Sequence, residues 1–387
     1  MHPNVKIPRG VWVLGFVSLL SDLSSEIVHS LLPLYLTVGL GASVLVVGII
    51  EGVAEAVALV VRVFSGTLSD RLRHRKWITA AGYGLGAAAK PLFAIAQGPW
   101  LVFTARFVDR IGKGIRGAPR DALIADLTPK EIRGAAYGLR QALDTVGALL
   151  GPLIAIALML AWNDDFRAVF WVAVIPGVLS FLLVAFGVRE PERGATTARA
   201  TSPWASFREL PRAFWIVTAA GAALTLARFS EAFLILRAEN LGVPIAYTPL
   251  VLVGMSLVYM VTAYPAGVLG DRMSRPLLLA FGTTFLVLAD VVLAFATGPA
   301  ALALGVALWG LHMGLTQGLL AAMVAESVPE HLRGTGFGVF NLGSGVAMLA
   351  ASVIAGALWH YVGPAMTFWV GAVLASAAVI VSRFARP

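Results

Sequence analysis

Twelve stretches of roughly 20 mostly apolar residues succeed one another along the chain, and runs of that length match the hydrocarbon thickness of a bilayer. They fall near 10-37, 43-68, 77-97, 99-124, 133-161, 167-188, 212-238, 247-270, 276-297, 299-325, 334-358 and 363-383. Of the 387 residues 58% are hydrophobic and 13% charged, whereas soluble domains are about a quarter charged. The expectation is an all-α membrane protein with 12 transmembrane helices, embedded in a lipid bilayer.

A net charge of +8 would suggest nucleic acid as a partner of a soluble protein, but the positions of the charges exclude that reading. Lys and Arg gather in alternate loops: Lys6 and Arg9, the run from Arg71 to Lys76, Lys130 and Arg133, the 189-212 stretch, Arg272 and Arg275, Arg333, and the tail. The other loops, around Gly39 to Ser43, Gly98 to Trp100, Gly298 to Pro299 and His360 to Gly363, have no Lys or Arg. Basic loops face the cytoplasm, so both termini are expected there, in a bacterial inner membrane. The first apolar run holds Asp22, Glu26 and His29 and no small-residue cleavage site follows it, so it reads as a retained span and not a signal peptide. Cysteine is absent, which excludes disulfides and thiolate metal sites.

The only long polar stretch, at 189-211, divides the chain into expected halves at 1-188 and 212-387. The halves repeat. Ala125 to Gly138 aligns without gaps to Ala325 to Gly338, Gly66 to Arg71 matches Gly267 to Arg272, and Ser25-Glu26 matches Ser230-Glu231.

Three motifs lie on this frame. After the second span come Gly66, Leu68, Asp70, Arg71, Arg75 and Lys76, mirrored by Gly267, Asp271 and Arg272. A carboxylate at a helix end close to arginines can form a charge-assisted latch, with Asp126, Arg133, Glu326 and Arg333 as partners; the alternative is ordinary positive-inside charge. The fourth span carries Arg106, Asp109, Arg110, Lys113, Gly117 and, lower down, Arg116 and Arg120, so one helical face is basic. The aligned part of the tenth span has Val306, Gly310, Met313 and Thr316 instead, an asymmetry that favours function over structure. In the fifth span Gly138, Gly147, Gly151 and Pro152 set small residues at helix-packing spacing.

These residues resemble the major facilitator superfamily along the whole chain. Arg73 stands where that family's loop signature has its second Gly, Asp109 and Arg110 replace Gln and Gly of its fourth-span motif, and Ala155 takes the last Gly place of its antiporter motif. The resemblance implies a major facilitator fold of two pseudo-symmetric six-helix halves, a monomer without cofactor or enzymatic activity, and alternating access to a central cavity lined by spans 1 and 7. The antiporter motif implies proton-driven export, with ordinary packing as its alternative.

The first span is the most informative. Asp22, Glu26 and His29 recur at i, i+4 and i+7 with Ser25 beside them, and Arg228, Glu231 and Arg237 follow on the seventh. Charges in a span normally face a cavity or one another. Asp22, Glu26 or Glu231 would suit exchange of the coupling proton. Asp22, Glu26, His29 and Glu231 would also suit a divalent metal, and a salt-bridge network is the structural alternative. Glu51, Glu55 and Arg62 extend the polar set, while Asp290, His312 and Gln317 are weaker candidates.

Similarity to a bacterial subgroup that includes nickel-resistance and metal-chelate exporters points to proton-coupled efflux of a divalent metal ion or its chelate. An organic-compound exporter is the second expectation, and a non-transporting receptor or scramblase on the same scaffold the third. No P-loop occurs, which leaves an ATP-driven pump unsupported.

Overall fold

The computed structural model describes residues 7-72, 74-129, 132-190, 209-270, 273-329 and 332-382, with the side chains at 67, 68, 70-72, 270, 381 and 382 excepted. Asp271, Arg272 and most of the linker lie outside the described residues, as do the side chains of Asp70 and Arg71. The described residues form helices and no strand. Twelve helical spans follow in order: α1 Arg9–Gly39, α2 Val44–Leu72, α3 Arg75–Ala94, α4 Pro99–Leu127, α5 Arg133–Ala161, α6 Phe166–Gly187, α7 Arg212–Asn240, α8 Leu250–Gly270, α9 Arg275–Phe295, α10 Pro299–Glu326, α11 Arg333–Tyr361 and α12 Pro364–Ser382.

Local chemistry sets many of the ends. Pro99 and Pro299 open α4 and α10 after an extended glycine, where a missing N–H costs nothing. Asp165 caps α6 by accepting from the backbone N–H groups of Arg167 and Ala168, at 3.0 and 3.1 Å.

Two spans expected to be continuous are broken. The α-helix of α1 ends at His29 and resumes as a short turn, Leu32–Leu34, followed by the π-helical Tyr35–Gly39; Pro33 lacks the N–H that would continue the ladder. In α7 the helix stops at Ala227 and restarts at Ala232. Ser230 Oγ accepts the N–H of Ala232 at 3.3 Å, which satisfies one of the donors freed at the new start.

Contacts divide the chain into two units, one of residues 1-31 and 57-200, the other of 32-56 and 201-387. The expected halves begin and end at 1-188 and 212-387; by packing, 32-56 belongs with the second. Each unit is built the same way. In the first, α3 packs on α4 and α6, and α1 on α5 and α6; in the second, α9 packs on α10 and α12, and α7 on α11 and α12. The repeat in sequence is thus a repeat in packing.

Among the described residues nine helices are long and apolar enough to cross a membrane. Of the remaining three, α3 and α4 carry buried charges and α12 is apolar from Pro364 to Ile380. Phe186, Tyr264 and Phe295 are more than two-thirds exposed, the outward apolar surface that lipid accepts and water does not.

Candidate functional site

The charged residues of the first unit form one connected set. Its geometry begins with glycines. A Cβ at Gly82 would fall 2.7 Å from the carbonyl oxygen of Gly112, and one at Gly112 would fall 2.6 Å from that of Gly82. Only bare backbones fit at this crossing of α3 and α4, and it sets Lys90 of α3 opposite Asp109 of α4.

Lys90 Nζ donates to Asp109 Oδ1 at 2.8 Å and to Ser25 Oγ of α1 at 3.2 Å. Both ends of the pair are buried, with side chains 4% exposed. Arg110 Nε stands 3.7 Å from the other oxygen, Asp109 Oδ2. One buried carboxylate is thus held between two cations, the arrangement that makes a charge tolerable away from water. Lys90 is not singled out by motif or spacing, although it is the only charged residue between Trp77 and Ala94, and a charge placed so demands a partner on a neighbouring helix.

The face of α1 meets α4 one helical step further along. Arg106 Nη2 donates to His29 Nδ1 at 2.8 Å. A guanidinium can only donate, so His29 accepts at Nδ1 and any ring proton sits on Nε2. Nearer the other end of α4, Arg116 lies 4.0 Å from Asp22 Oδ1 and 4.5 Å over the ring of Tyr83, and Arg120 donates to Ser18 Oγ at 3.3 Å. Lys113 is exposed, yet it acts electrostatically on both Asp22 and His29. Asp22 is itself 27% exposed at its side chain. Asp22, Glu26 and Lys113 are therefore the approachable charges, backed by the buried Lys90, Arg106, Asp109, Arg110 and Arg116.

The small residues of the fifth-span motif bring two helices together here. A Cβ at Gly147 would fall on the carbonyl of Leu19, and one at Gly151 would lie 2.5 Å from Glu26 Cβ. Both glycines, with buried Pro152, let α5 lie directly on α1 and fix the position of Glu26. Nothing lies within 4 Å of a Cβ placed at Gly138.

Asp22 and His29, two of the expected metal ligands of the first unit, are engaged with the cations of α4. Among the described residues no three His, Asp or Glu side chains surround one point. His29 accepts from Arg106 at Nδ1, and a metal cation there would face a fixed positive charge.

In the second unit Arg228 and Glu231 flank the break in α7, with Glu231, Glu55 and Tyr259 within electrostatic reach of Arg228. Arg237, which the sequence placed with them, instead closes a helix end: it donates to the carbonyls of Leu293 and Ala296, at 3.1 and 2.9 Å, where α9 finishes.

The loop motif and its counterpart in the repeat each carry an ion pair. Arg75 Nη1 donates to Asp126 Oδ1 and Oδ2, at 3.0 and 2.8 Å, and Arg275 pairs with Glu326. Each partner is shifted by the 200 residues of the repeat. Arg133 and Arg333 occupy the same register and donate to the carbonyls of Ala125 and Ala325, at 3.1 and 3.3 Å. Both thereby bind the last carbonyls of the preceding helix. Gly66 faces the Cβ of Ala118, and Gly267 is exposed.

Six-helix packing repeated twice, apolar outer surfaces and a charged interior define a membrane carrier of small solutes. The Major Facilitator Superfamily model matches residues 14–237 and 230–387, and the chain belongs to that family. An MFS-type transporter of Methanocaldococcus jannaschii is 31% identical over 382 residues, covering 96% of this chain and 93% of that one. The multidrug resistance protein MdtH of Yersinia pestis is 32% identical over 176 residues, 46% of this chain and 42% of that one. Among solved structures, a variant of the nucleoside transporter NupG superposes with a TM-score of 0.81 at 12% identity, covering 97% of this chain and all of that one. A POT family transporter in complex with 5-aminolevulinic acid gives 0.79 at 15% identity, covering 97% and 95%. The chain is a multi-pass membrane transporter and not an enzyme.

Proposed function

We propose that this transporter works by alternating access in a bacterial inner membrane, coupled to protons, and that its substrate is a small organic compound bearing an acidic group. The single observation that carries this reading is the charge balance of the first unit. Lys90, Arg106, Arg110, Lys113 and Arg116 are five cations against the three carboxylates of Asp22, Glu26 and Asp109. Arg120 with Asp121 and Arg140 with Asp144 pair off beside them, at 3.1 and 3.5 Å. Arginines stay charged at any working pH. A cluster of this sign attracts an anion and repels a bare divalent metal.

Asp22 and Glu26 suit the proton role, because Asp109 is already tied to Lys90. Ionised, they compete with a substrate carboxylate for Arg116 and Lys113; protonated, they release those cations to it. Binding of anion and proton is thereby linked. Export is supported by the half-length likeness to a multidrug resistance protein. A metal–carboxylate chelate of net negative charge would meet the same arginines, and this is the form in which metal transport remains compatible with the site.

The test is a proteoliposome assay with a pH-sensitive dye inside. Dicarboxylates, nickel citrate, free nickel and a cationic dye are added in turn under an imposed pH gradient. Substrate-dependent proton movement with the acidic compounds or the chelate is the expected result. Proton movement with free nickel or the cationic dye alone would overturn the reading.

A further inference from the structure

The second unit holds a carboxyl group that the proposed function leaves unused. Asp290, on α9, is wholly buried, and among the described residues neither of its oxygens has a hydrogen-bond partner. A Cβ placed at Gly371 of α12 would lie 2.6 Å from Asp290 Oδ2 and 3.0 Å from Cε1 of Phe229. The carboxyl and the ring of Phe229, which belongs to the break in α7, therefore both lie against the bare backbone of α12 at Gly371. Phe229 in turn packs on Trp309 and Phe368, with ring centroids 5.3 and 5.5 Å apart.

Among the described residues no charge on the neighbouring helices is paired with it. Between Pro364 and Ile380 α12 has no ionisable residue. From α10 comes His312, fully buried, whose Nδ1 meets the carbonyl of Gly282 at 2.9 Å, two turns of α9 away from Asp290. From α7 come Arg237, engaged with the carbonyls at the end of α9, and Arg228, which adjoins Phe229 in the chain and lies by Glu231 and Glu55. An ionised carboxylate in such surroundings has neither counter-charge nor donor, and is far costlier than the neutral acid. A carboxyl kept only for structure would hydrogen-bond to something, and among the described residues neither oxygen of Asp290 does.

We infer that Asp290 is a proton-binding site of the second unit: it is occupied in this conformation, and it is emptied when the α7 break rearranges to bring water and Arg228 to it. In that step the O–H bond breaks, the proton passes to water, and the negative charge left on the carboxylate is met by the guanidinium. Acid and ring meet the same bare stretch of α12, so a shift of Phe229 with the break would change what Asp290 faces. The bound proton stands independently of the substrate assigned above; its part in transport rests on the reading of the chain as proton-coupled.

The experiment is infrared spectroscopy of the purified protein in liposomes, with aspartate carrying carbon-13 in its carboxyl group. A carboxylic C=O band shifted by the label, persisting at about pH 8 and unaffected by Asp22→Asn, is expected in the otherwise unchanged protein. Asp290→Asn should abolish it, and Asp290→Glu should replace it with an unshifted band. Absence of any labelled carboxylic band at that pH, or its survival in Asp290→Asn, would overturn the inference. The labelled wild-type spectrum decides the matter even if the asparagine variant does not fold. The coupling role is read separately: gradient-driven flux lowered in Asp290→Asn with exchange intact supports it, and flux equal to wild type overturns that role while leaving the bound proton in place.

Discussion

Lys90→Met is expected to destabilise the protein by about 3–5 kcal/mol, the cost of leaving one member of a buried ion pair without its partner. The value falls at the lower end of that range, because Arg110 still stands 3.7 Å from Asp109. The double variant Lys90→Met with Asp109→Asn should recover a large part of the loss, since both charges then leave the interior together and neighbouring pairs are non-additive by about 0.5–3 kcal/mol. Thermal unfolding in detergent checks both variants. A single variant as stable as wild type, or a double variant whose loss is the sum of the two singles, would show that the 2.8 Å contact between Lys90 and Asp109 does not hold α3 to α4.

The second large effect concerns coupling. With Asp22→Asn and Glu26→Gln combined, gradient-driven accumulation of an acidic substrate is expected to fall about tenfold, the scale of a coupling free energy between two bound species. Exchange of labelled for unlabelled substrate across the same liposomes should continue, because the cations of α4 are untouched. The two measurements together separate a lost proton site from a lost substrate site. Loss of both fluxes would place these carboxylates in substrate binding, and retention of both would remove them from the mechanism.

Much of the architecture is written in the sequence because lipid imposes a length on every span. The fifth span was expected at 133-161 and is found as Arg133–Ala161; the tenth, expected at 299-325, is Pro299–Glu326. The repeat was legible too, and it places the latch pairs in the same register. The pairing within it was less so: Asp126 meets Arg75, one of several basic residues in a loop signature that does not say which of them the carboxylate will meet. The break in α7 was hidden, since Arg228 to Glu231 contains neither Gly nor Pro and depends on side chains from other parts of the unit. Lys90 and Asp290 were hard to read for opposite reasons. The first is meaningful only through a partner on another helix, and the second only through having none.

The stripe on α4 was legible by its spacing, whereas its consequence was not. Helical periodicity puts Arg106, Arg110 and Lys113 on one face but cannot tell which cations are neutralised. In the folded chain His29 accepts from Arg106, which removes it from a metal site that residue types alone allowed.

The most direct test of the charge-balance account is side-by-side flux of a labelled dicarboxylate and of free nickel into proteoliposomes, with wild type beside Arg116→Gln. The account predicts that wild type carries the anion and not the free cation, and that the variant loses anion flux by about 100-fold, as removal of a desolvated charge partner costs roughly 2–5 kcal/mol. Wild-type flux of free nickel exceeding that of the anion, or anion flux unchanged by Arg116→Gln, would contradict it.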